Sequence, residues 1–192
     1  MTDAQLIQAS IAGDENAFKT LIQKYESMVA ATVIGMIGPG QEAEDVGQDT
    51  FIRFYKSLKQ FRGDSTVGTY ITRIAMNLAL NSIKNRKRRR LRFWQPLHDE
   101  MDIKDPDAKE YDGTSEMIHK AIQQLSPEFR AVIVLRFLKE HSIKEIAEIM
   151  QIPQGTVLSR LARGQKKLKI ILQPLLGDEN VKQEVQSAAQ II

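Results

Sequence analysis

The 192-residue chain contains no cysteine, which excludes disulfides, thiolate zinc sites and cysteine nucleophiles and agrees with a reducing compartment. Three histidines leave little from which to build a metal cage. Long apolar runs are also missing. The longest stretch without a charged side chain, residues 27–41, is too short for a bilayer span and carries Gly35, Gly38, Pro39 and Gly40. The first residues, Met1-Thr2-Asp3-Ala4-Gln5, have neither the basic start nor the apolar core of a secretory signal, so a cytoplasmic protein without membrane insertion is expected. No alternation of apolar and polar residues is sustained enough to mark a strand, and no phosphate-cradling glycine loop or Ser/His/Asp order is present. What remains, at 42% apolar and 27% charged residues, is ordinary globular composition, enough for one large or two small domains.

A formal net charge of +3 says little until it is placed along the chain. Residues 1–83 carry 7 basic and 9 acidic groups, whereas 84–92 carry 7 basic groups and no acidic one. Residues 93–116 then hold 8 acidic and 2 basic groups, and 117–169 hold 10 basic and 4 acidic. Two basic blocks joined by an acidic connector suit a protein that grips a polyanion at two places. Solvated tails and fortuitous patches give the same profile, so charge alone leaves both readings open.

Apolar spacing resolves the chain into helices. Leu6, Ile7, Ala17, Phe18, Leu21, Ile22, Tyr25, Met28 and Val29 recur at steps of three and four, with Gly13-Asp14-Glu15 separating two helices. The second is expected to end in the cluster from Gly35 to Gly40. A third fits 43–61, with Val46, Thr50, Phe51, Phe54, Tyr55 and Leu58 inward and Glu42, Glu44 and Asp45 near its positive end. After the break at Arg62-Gly63-Asp64-Ser65-Thr66, the pattern resumes over 67–90 and runs straight into the basic cluster. Residues 94–116, rich in Asp and carrying Pro96, Pro106 and Gly113, read as an extended linker. Two short helices follow, the second opened by Ser126-Pro127-Glu128. Ser142-Ile143-Lys144-Glu145 then forms a capping box before a short helix, Gln151-Ile152-Pro153 turns the chain, and a basic helix runs from Gln154 to Ile171. The fold class is all-α: two small helical domains, 1–93 and 117–172, with a tail over 173–192.

A short capped helix, a turn and a basic helix make a helix-turn-helix, whose second helix presents side chains to the major groove. Val157, Leu161 and Leu168 pack inward, leaving Gln154, Thr156, Ser159, Arg160, Arg163, Lys166 and Lys167 for solvent or DNA. A helical hairpin with a charged exterior is the competing reading of this feature on its own.

The residues carry a more specific likeness. The segment Leu125-Ser-Pro-Glu-Phe-Arg-Ala-Val-Ile-Val-Leu-Arg136, with Ser142-Ile-Lys-Glu-Ile-Ala147 and Gly155-Thr-Val-Leu-Ser-Arg160-Leu-Ala-Arg163, resembles region 4 of bacterial sigma factors. Asp45-Val-Gly-Gln48-Asp49-Thr-Phe51, followed by Phe61-Arg-Gly-Asp-Ser65 and Tyr70-Ile-Thr-Arg-Ile-Ala-Met-Asn77, resembles region 2. Both in this order, with only a short linker between them, resemble the extracytoplasmic-function (ECF) group of the sigma-70 family.

That resemblance implies a non-enzymatic factor, without cofactor or metal, that binds core RNA polymerase and directs initiation at chosen promoters. Asp45, Gln48, Asp49 and Arg53 would dock on the clamp helices of the polymerase β′ subunit, and the C-terminal region would meet the β flap. Phe61, Arg62, Gly63, Asp64 and Ser65, with Tyr70, Arg73 and Asn77, fall where the family captures an unstacked base of the minus-10 element. Lys84, Arg88 and Arg89 would neutralise phosphates. Trp94 and Tyr70 are aromatic enough to stack on bases. Gln154, Thr156, Leu158, Ser159, Arg160, Arg163 and Lys167 lie on the helix that reads the minus-35 element. Leu158 stands where the family commonly has Lys or Arg, and Gly164 interrupts a stretch usually made of better helix formers. An anti-sigma partner is implied as well, and a monomeric free state. Two rivals deserve comparison. A simple helix-turn-helix regulator would need no polymerase-docking half. Metal or carboxylate chemistry would have to use His98-Asp99-Glu100 and Asp102, in a linker with no rigid surroundings.

Overall fold

The computed structural model describes residues 1–92, 113–138 and 140–176. Eight helices occur among them: α1 (Asp3–Ile11), α2 (Glu15–Ile37), α3 (Gln41–Ser57, followed by a 3-10 turn at Leu58–Gln60), α4 (Val67–Arg92), α5 (Gly113–Gln123), α6 (Pro127–Ile133, continued by a π turn at Val134–Leu138), α7 (Ile143–Met150) and α8 (Gln154–Leu176). No strand occurs among the described residues. Most of the expected linker, with Trp94 and the His98-Asp99-Glu100 group, and the tail beyond Leu176 lie outside the described residues.

Helix ends follow local chemistry. Thr2 and Gln5 close a capping box on α1, the Asp14 carboxylate accepts from the amides of Asn16 and Ala17 at the start of α2, and Ser142 with Glu145 caps α7. Gln151 ends α7 in the left-handed conformation. α2 ends inside the expected cluster from Gly35 to Gly40: it runs through Gly35 to Ile37, and Gly38, at φ 85°, is the residue that ends it. Gly35 is buried, and packing of the last turn outweighs the roughly 1 kcal/mol that a mid-helix glycine costs. α5 begins at Gly113, so the last residues assigned to the acidic linker are helical.

α2 is the hub, packing on α1, α3 and α4, while α8 gathers α5, α6 and α7. Buried Leu21, Val29, Val33, Met36, Phe54, Ile71 and Met76 fill the first group, and Ile133, Leu135, Ile146, Ile149, Val157 and Leu172 fill the second. Each such side chain contributes about 1.5–3 kcal/mol by leaving water. Gly164 has a packing reason: a Cβ there would stand 3.1 Å from Ile133 Cγ1 and 3.5 Å from Phe129 Cβ, so its bare backbone lets α8 approach α6.

The two groups do not stand apart. α7 packs on α4, the π turn, α5 and α6 pack on α2, and one apolar core runs from Leu6 to Leu172. Gln123 Nε2 donates to Gly35 O at 2.8 Å. Arg130 Nη1 donates to Met36 O at 2.5 Å and to Gln123 Oε1 at 2.7 Å, while Nη2 donates to the carbonyls of Gln123 and Leu125. These side chains meet carbonyls at the negative end of α2, which have no partner within the helix. Arg73 Nη2 and Glu148 Oε1, 3.6 Å apart, join α4 to α7.

Candidate nucleic-acid and polymerase interface

α3 turns its polar face away from the core that holds Ala43, Thr50 and Phe54. Asp45, Gln48, Asp49 and Arg53 are all exposed on that face, and Asp45 Oδ1 accepts from Gln41 Nε2 at 3.2 Å. Ile52 and Tyr55, 49% and 51% exposed, lie beside them; Tyr55, expected in the inward stripe, sits instead at its edge, with its ring edge-on to Phe18. Charge bordered by apolar surface suits a protein partner better than plain solvation. Ile52 drew no attention in the sequence because its period places it next to the buried stripe.

Residues 61–66 form the loop entering α4. Phe61 is half-buried and meets the Tyr70 ring edge-on, with centroids 5.1 Å apart, and Tyr70 lies 6.2 Å from Phe54. The two rings therefore build the floor under the loop. Arg62, Gly63 and Asp64 are exposed, Gly63 at φ 78°, and Ser65 is half-buried with its hydroxyl toward Thr66 O. The Thr66 hydroxyl accepts from the Thr69 amide and fixes the first turn of α4.

Helical spacing places Arg73, Asn77, Lys84 and Arg88 on one stripe of α4. Asn77, Lys84 and Arg88 are exposed, with the amide one to two turns from the nearest cation. Arg73 differs from them: it pairs with Glu148, lies 5.9 Å from the Tyr70 ring, and has its Nε buried with no hydrogen-bond partner. α7 thus covers the near end of the stripe and leaves it open from Asn77 onward. Asn81, exposed one turn beyond Asn77, completes the stripe and was not singled out from sequence. Its signal was the four-residue step.

Arg89 is exposed on another side, toward Glu42. That carboxylate, in the first turn of α3, accepts from the Ser82 hydroxyl and from Arg86 Nη2. Burial pushes its carboxyl up, but the Ser82 and Arg86 hydrogen bonds and the charges of Arg86 and Arg89 outweigh this and hold it below the ordinary glutamate value.

On α8, Gln154, Leu158, Ser159 and Arg163 are exposed, and Thr156 and Arg160 are half-buried. Leu158, at 55% exposure, offers an apolar contact where a cation would have offered a donor. The Ser159 hydroxyl bonds back to Thr156 O, and Lys167 Nζ stands 5.4 Å over the Phe129 ring. The Glu128 carboxyl, held low by its own backbone amide against burial, also feels the Ser126 hydroxyl and the charges of Arg160 and Lys167. Gln154, Arg163 and Lys166, all exposed, are polar groups able to reach outward. None of the described residues forms a cluster able to hold a metal ion, and none of the described helices is long and apolar enough to cross a membrane.

Comparison with known proteins agrees with this geometry. Residues 21–89 match the model for sigma-70 region 2, and residues 115–168 match the model for sigma-70 region 4. The chain is 36% identical over 186 residues to the RNA polymerase sigma-H factor of Pseudomonas aeruginosa, covering 92% of this chain and 96% of that one. It is 32% identical over 192 residues to the ECF RNA polymerase sigma-E factor of Escherichia coli K12, covering 92% and 97%. Its fold is similar to that of the sigma factor RpoE solved with the anti-sigma factor NepR from Bartonella quintana, at TM-score 0.68 and 22% identity, covering 81% of this chain and 96% of that one. It is similar also to CnrH solved with the cytosolic domain of CnrY, at TM-score 0.67 and 22% identity, covering 90% and 97%. With both regions matched in order and relatives above 30% identity across nearly the whole chain, the protein belongs to the sigma-70 family of RNA polymerase sigma factors, in its ECF group.

Proposed function

We propose that the chain binds core RNA polymerase in the cytoplasm and directs it to promoters bearing its own minus-10 and minus-35 elements. The observation that carries this is the pairing of two exposed surfaces of different chemistry on matched sigma regions: the acidic face of α3 with its apolar border, and the Asn77–Arg88 stripe of α4. The face at Asp45, Gln48, Asp49 and Arg53 docks on the β′ clamp helices. The loop Phe61–Ser65 and Asn77 take an unstacked minus-10 base, with Tyr70 beneath the loop as support, and Lys84 and Arg88 hold phosphates. α8 reads the minus-35 element through Gln154, Arg163 and Leu158, the last against a thymine methyl. Residues 1–93 act as one functional half and 117–172 as the other, and an anti-sigma protein competes for these surfaces, as NepR and CnrY accompany the similar folds. Nothing in this role requires bond-making by the protein itself. The simple-regulator alternative leaves the acidic face of α3 without a use.

The test is co-purification with core polymerase. Asp45→Arg with Asp49→Arg reverses two exposed charges, a change that costs little stability but sets like charges against a basic groove. Core binding should fall at least tenfold while the helical signal stays unchanged, and unaltered affinity would refute the docking assignment.

A further inference from the structure

The arginines that meet another helix differ in how well they are satisfied. Arg86 is engaged by Glu42, and Arg130 donates to three carbonyls and an amide oxygen. Arg73 is left short: Glu148 Oε1 stands 3.6 Å from its Nη2, beyond hydrogen-bond length, and its Nε is buried with no partner. A guanidinium carries its donors in a fork that fits a phosphate, so one held this loosely gains by exchanging its partner. The pair is open to water, since the two side chains keep 25% and 38% of their exposure. Arg73 also stands where nucleic acid would meet it. It shares the α4 stripe with Asn77, Lys84 and Arg88 and lies 5.9 Å from the Tyr70 ring, which floors the loop at 61–66. What covers it is α7, a helix of the other group.

We propose that α7 is an autoinhibitory cover on the α4 stripe, in which Glu148 holds on Arg73 the place that a backbone phosphate of single-stranded promoter DNA takes when the two helix groups part. The proposal rests on the reading of α4 as a DNA-binding surface and concerns its regulation. Asn77, Lys84 and Arg88 stay exposed in the covered form, so nucleic acid attaches there weakly, and uncovering adds Arg73. DNA that needs Arg73 binds only the uncovered form, and its apparent affinity is the intrinsic one multiplied by the fraction of chains in that form. That fraction depends on every tie between the groups. One of them lies away from the stripe, where Gln123 of α5 and Arg130 of α6 donate to the carbonyls that end α2.

The sign of the effect separates a cover from a brace. If α7 only braces α4, loosening it leaves DNA binding unchanged or weakens it, and removing the Arg130 cation weakens it further through charge. If α7 is a cover, the same losses strengthen binding. The experiment uses the full chain and a fluorescently labelled single-stranded oligonucleotide of mixed sequence, titrated at several salt concentrations. Glu148→Gln, which keeps the side chain's shape, should bind about two- to fivefold tighter. Placed in an Arg73→Gln chain, Glu148→Gln should give no gain, because the group it releases is gone. Arg130→Ala should bind severalfold tighter although the chain has lost a positive charge. Gln123→Ala, which removes no charge, should shift binding the same way by less, and it replaces Arg130→Ala if circular dichroism shows that variant unfolded. With Arg88→Ala flattening the salt dependence, two results overturn the proposal and leave the DNA reading of α4 standing. One is weaker or unchanged binding in Glu148→Gln or in the folded variant at 130 or 123; the other is a Glu148→Gln gain that persists without Arg73. An unchanged salt dependence in both Lys84→Ala and Arg88→Ala overturns the DNA reading and the proposal with it.

Discussion

Replacing Arg130 by alanine tests how the two groups of helices are held together. The guanidinium is half-buried and reaches Met36 O at the end of α2, Gln123 Oε1, and the carbonyls of Gln123 and Leu125 at the end of α5. Burial, and then the neighbouring charge of Arg86, pull its pKa down to about 10, so no carboxylate offsets the desolvation of this cation. A hydrogen bond to a charged group contributes about 1.5–3 kcal/mol, but two of the acceptors become accessible to water once the side chain is gone, and the contributions are not additive. A net loss of about 3 kcal/mol is the working figure, corresponding to a melting temperature lower by roughly 6–12 °C in a chain of this size. Arg130→Lys should recover less than half of this, because an ammonium is a point donor and cannot span two helix ends as a planar fork does. Thermal unfolding followed by circular dichroism gives the magnitude. Small-angle scattering gives the second readout, since the bond to Met36 crosses between the groups and its loss should enlarge the radius of gyration. A melting temperature within about 2 °C of the unmodified protein would refute the reasoning, because it would mean that the bonds formed in the fold do no better than those made with water.

Asn77→Ala should lower open-complex formation on the matched promoter and relax discrimination at one base. Arg88→Ala should weaken matched and mismatched promoters alike and flatten the salt dependence; equal losses on every promoter for Asn77→Ala would remove it from base reading. Glu145 predicts an acid response. The Ser142 hydroxyl and amide hold its carboxyl below the ordinary glutamate value of 4.5, with the charge of His141 adding to them and burial opposing. The unfolded chain therefore takes up the proton first as pH falls, and stability present above the ordinary value is lost as pH drops through the folded one. Glu145→Gln should be the less stable of the two at neutral pH, and the gap between its melting temperature and that of the unmodified chain should close as the pH is lowered below the ordinary glutamate range. Parallel curves would dismiss the cap as a contributor.

Local chemistry was the readable part of the sequence. The capping box at Ser142 and Glu145, the break at Gly13 and Asp14, and the inward face of α8 follow from spacing and from side chains that bond within four residues of themselves, as does the inward face of α3 except for Tyr55, which is exposed. α2 runs through Gly35 because the cost of that glycine is local while part of the compensation, the bond from Gln123, comes from a residue nearly ninety positions away. The π turn at Val134–Leu138 was hidden for a related reason: Val134 and Leu135 are buried whatever the pitch, so apolar spacing alone does not register the change. Among the candidate site residues, Asp49 and Asn77 were named from the motif and are exposed, whereas the carboxylates that engage neighbouring cations were not named. Glu42 and Glu148 act on Arg86 and Arg73 across tertiary contacts for which the sequence carries no fixed spacing.

The contact between the end of α2 and the side chains of Gln123 and Arg130 also shapes how the protein tolerates mutation. Its acceptors are the main-chain carbonyls of Ile34, Gly35 and Met36, which every amino acid possesses. Substitutions along the last turn of α2 leave those acceptors in place provided the helix survives, so that side of the contact can drift in sequence while still being recognised. All the vulnerability is concentrated on the other side, in one amide and one guanidinium. Drift on α2 is therefore limited by its own packing, as at Met36, and not by this contact, whereas positions 123 and 130 are constrained by the contact itself, an asymmetry that random mutagenesis scored for folded protein should reproduce.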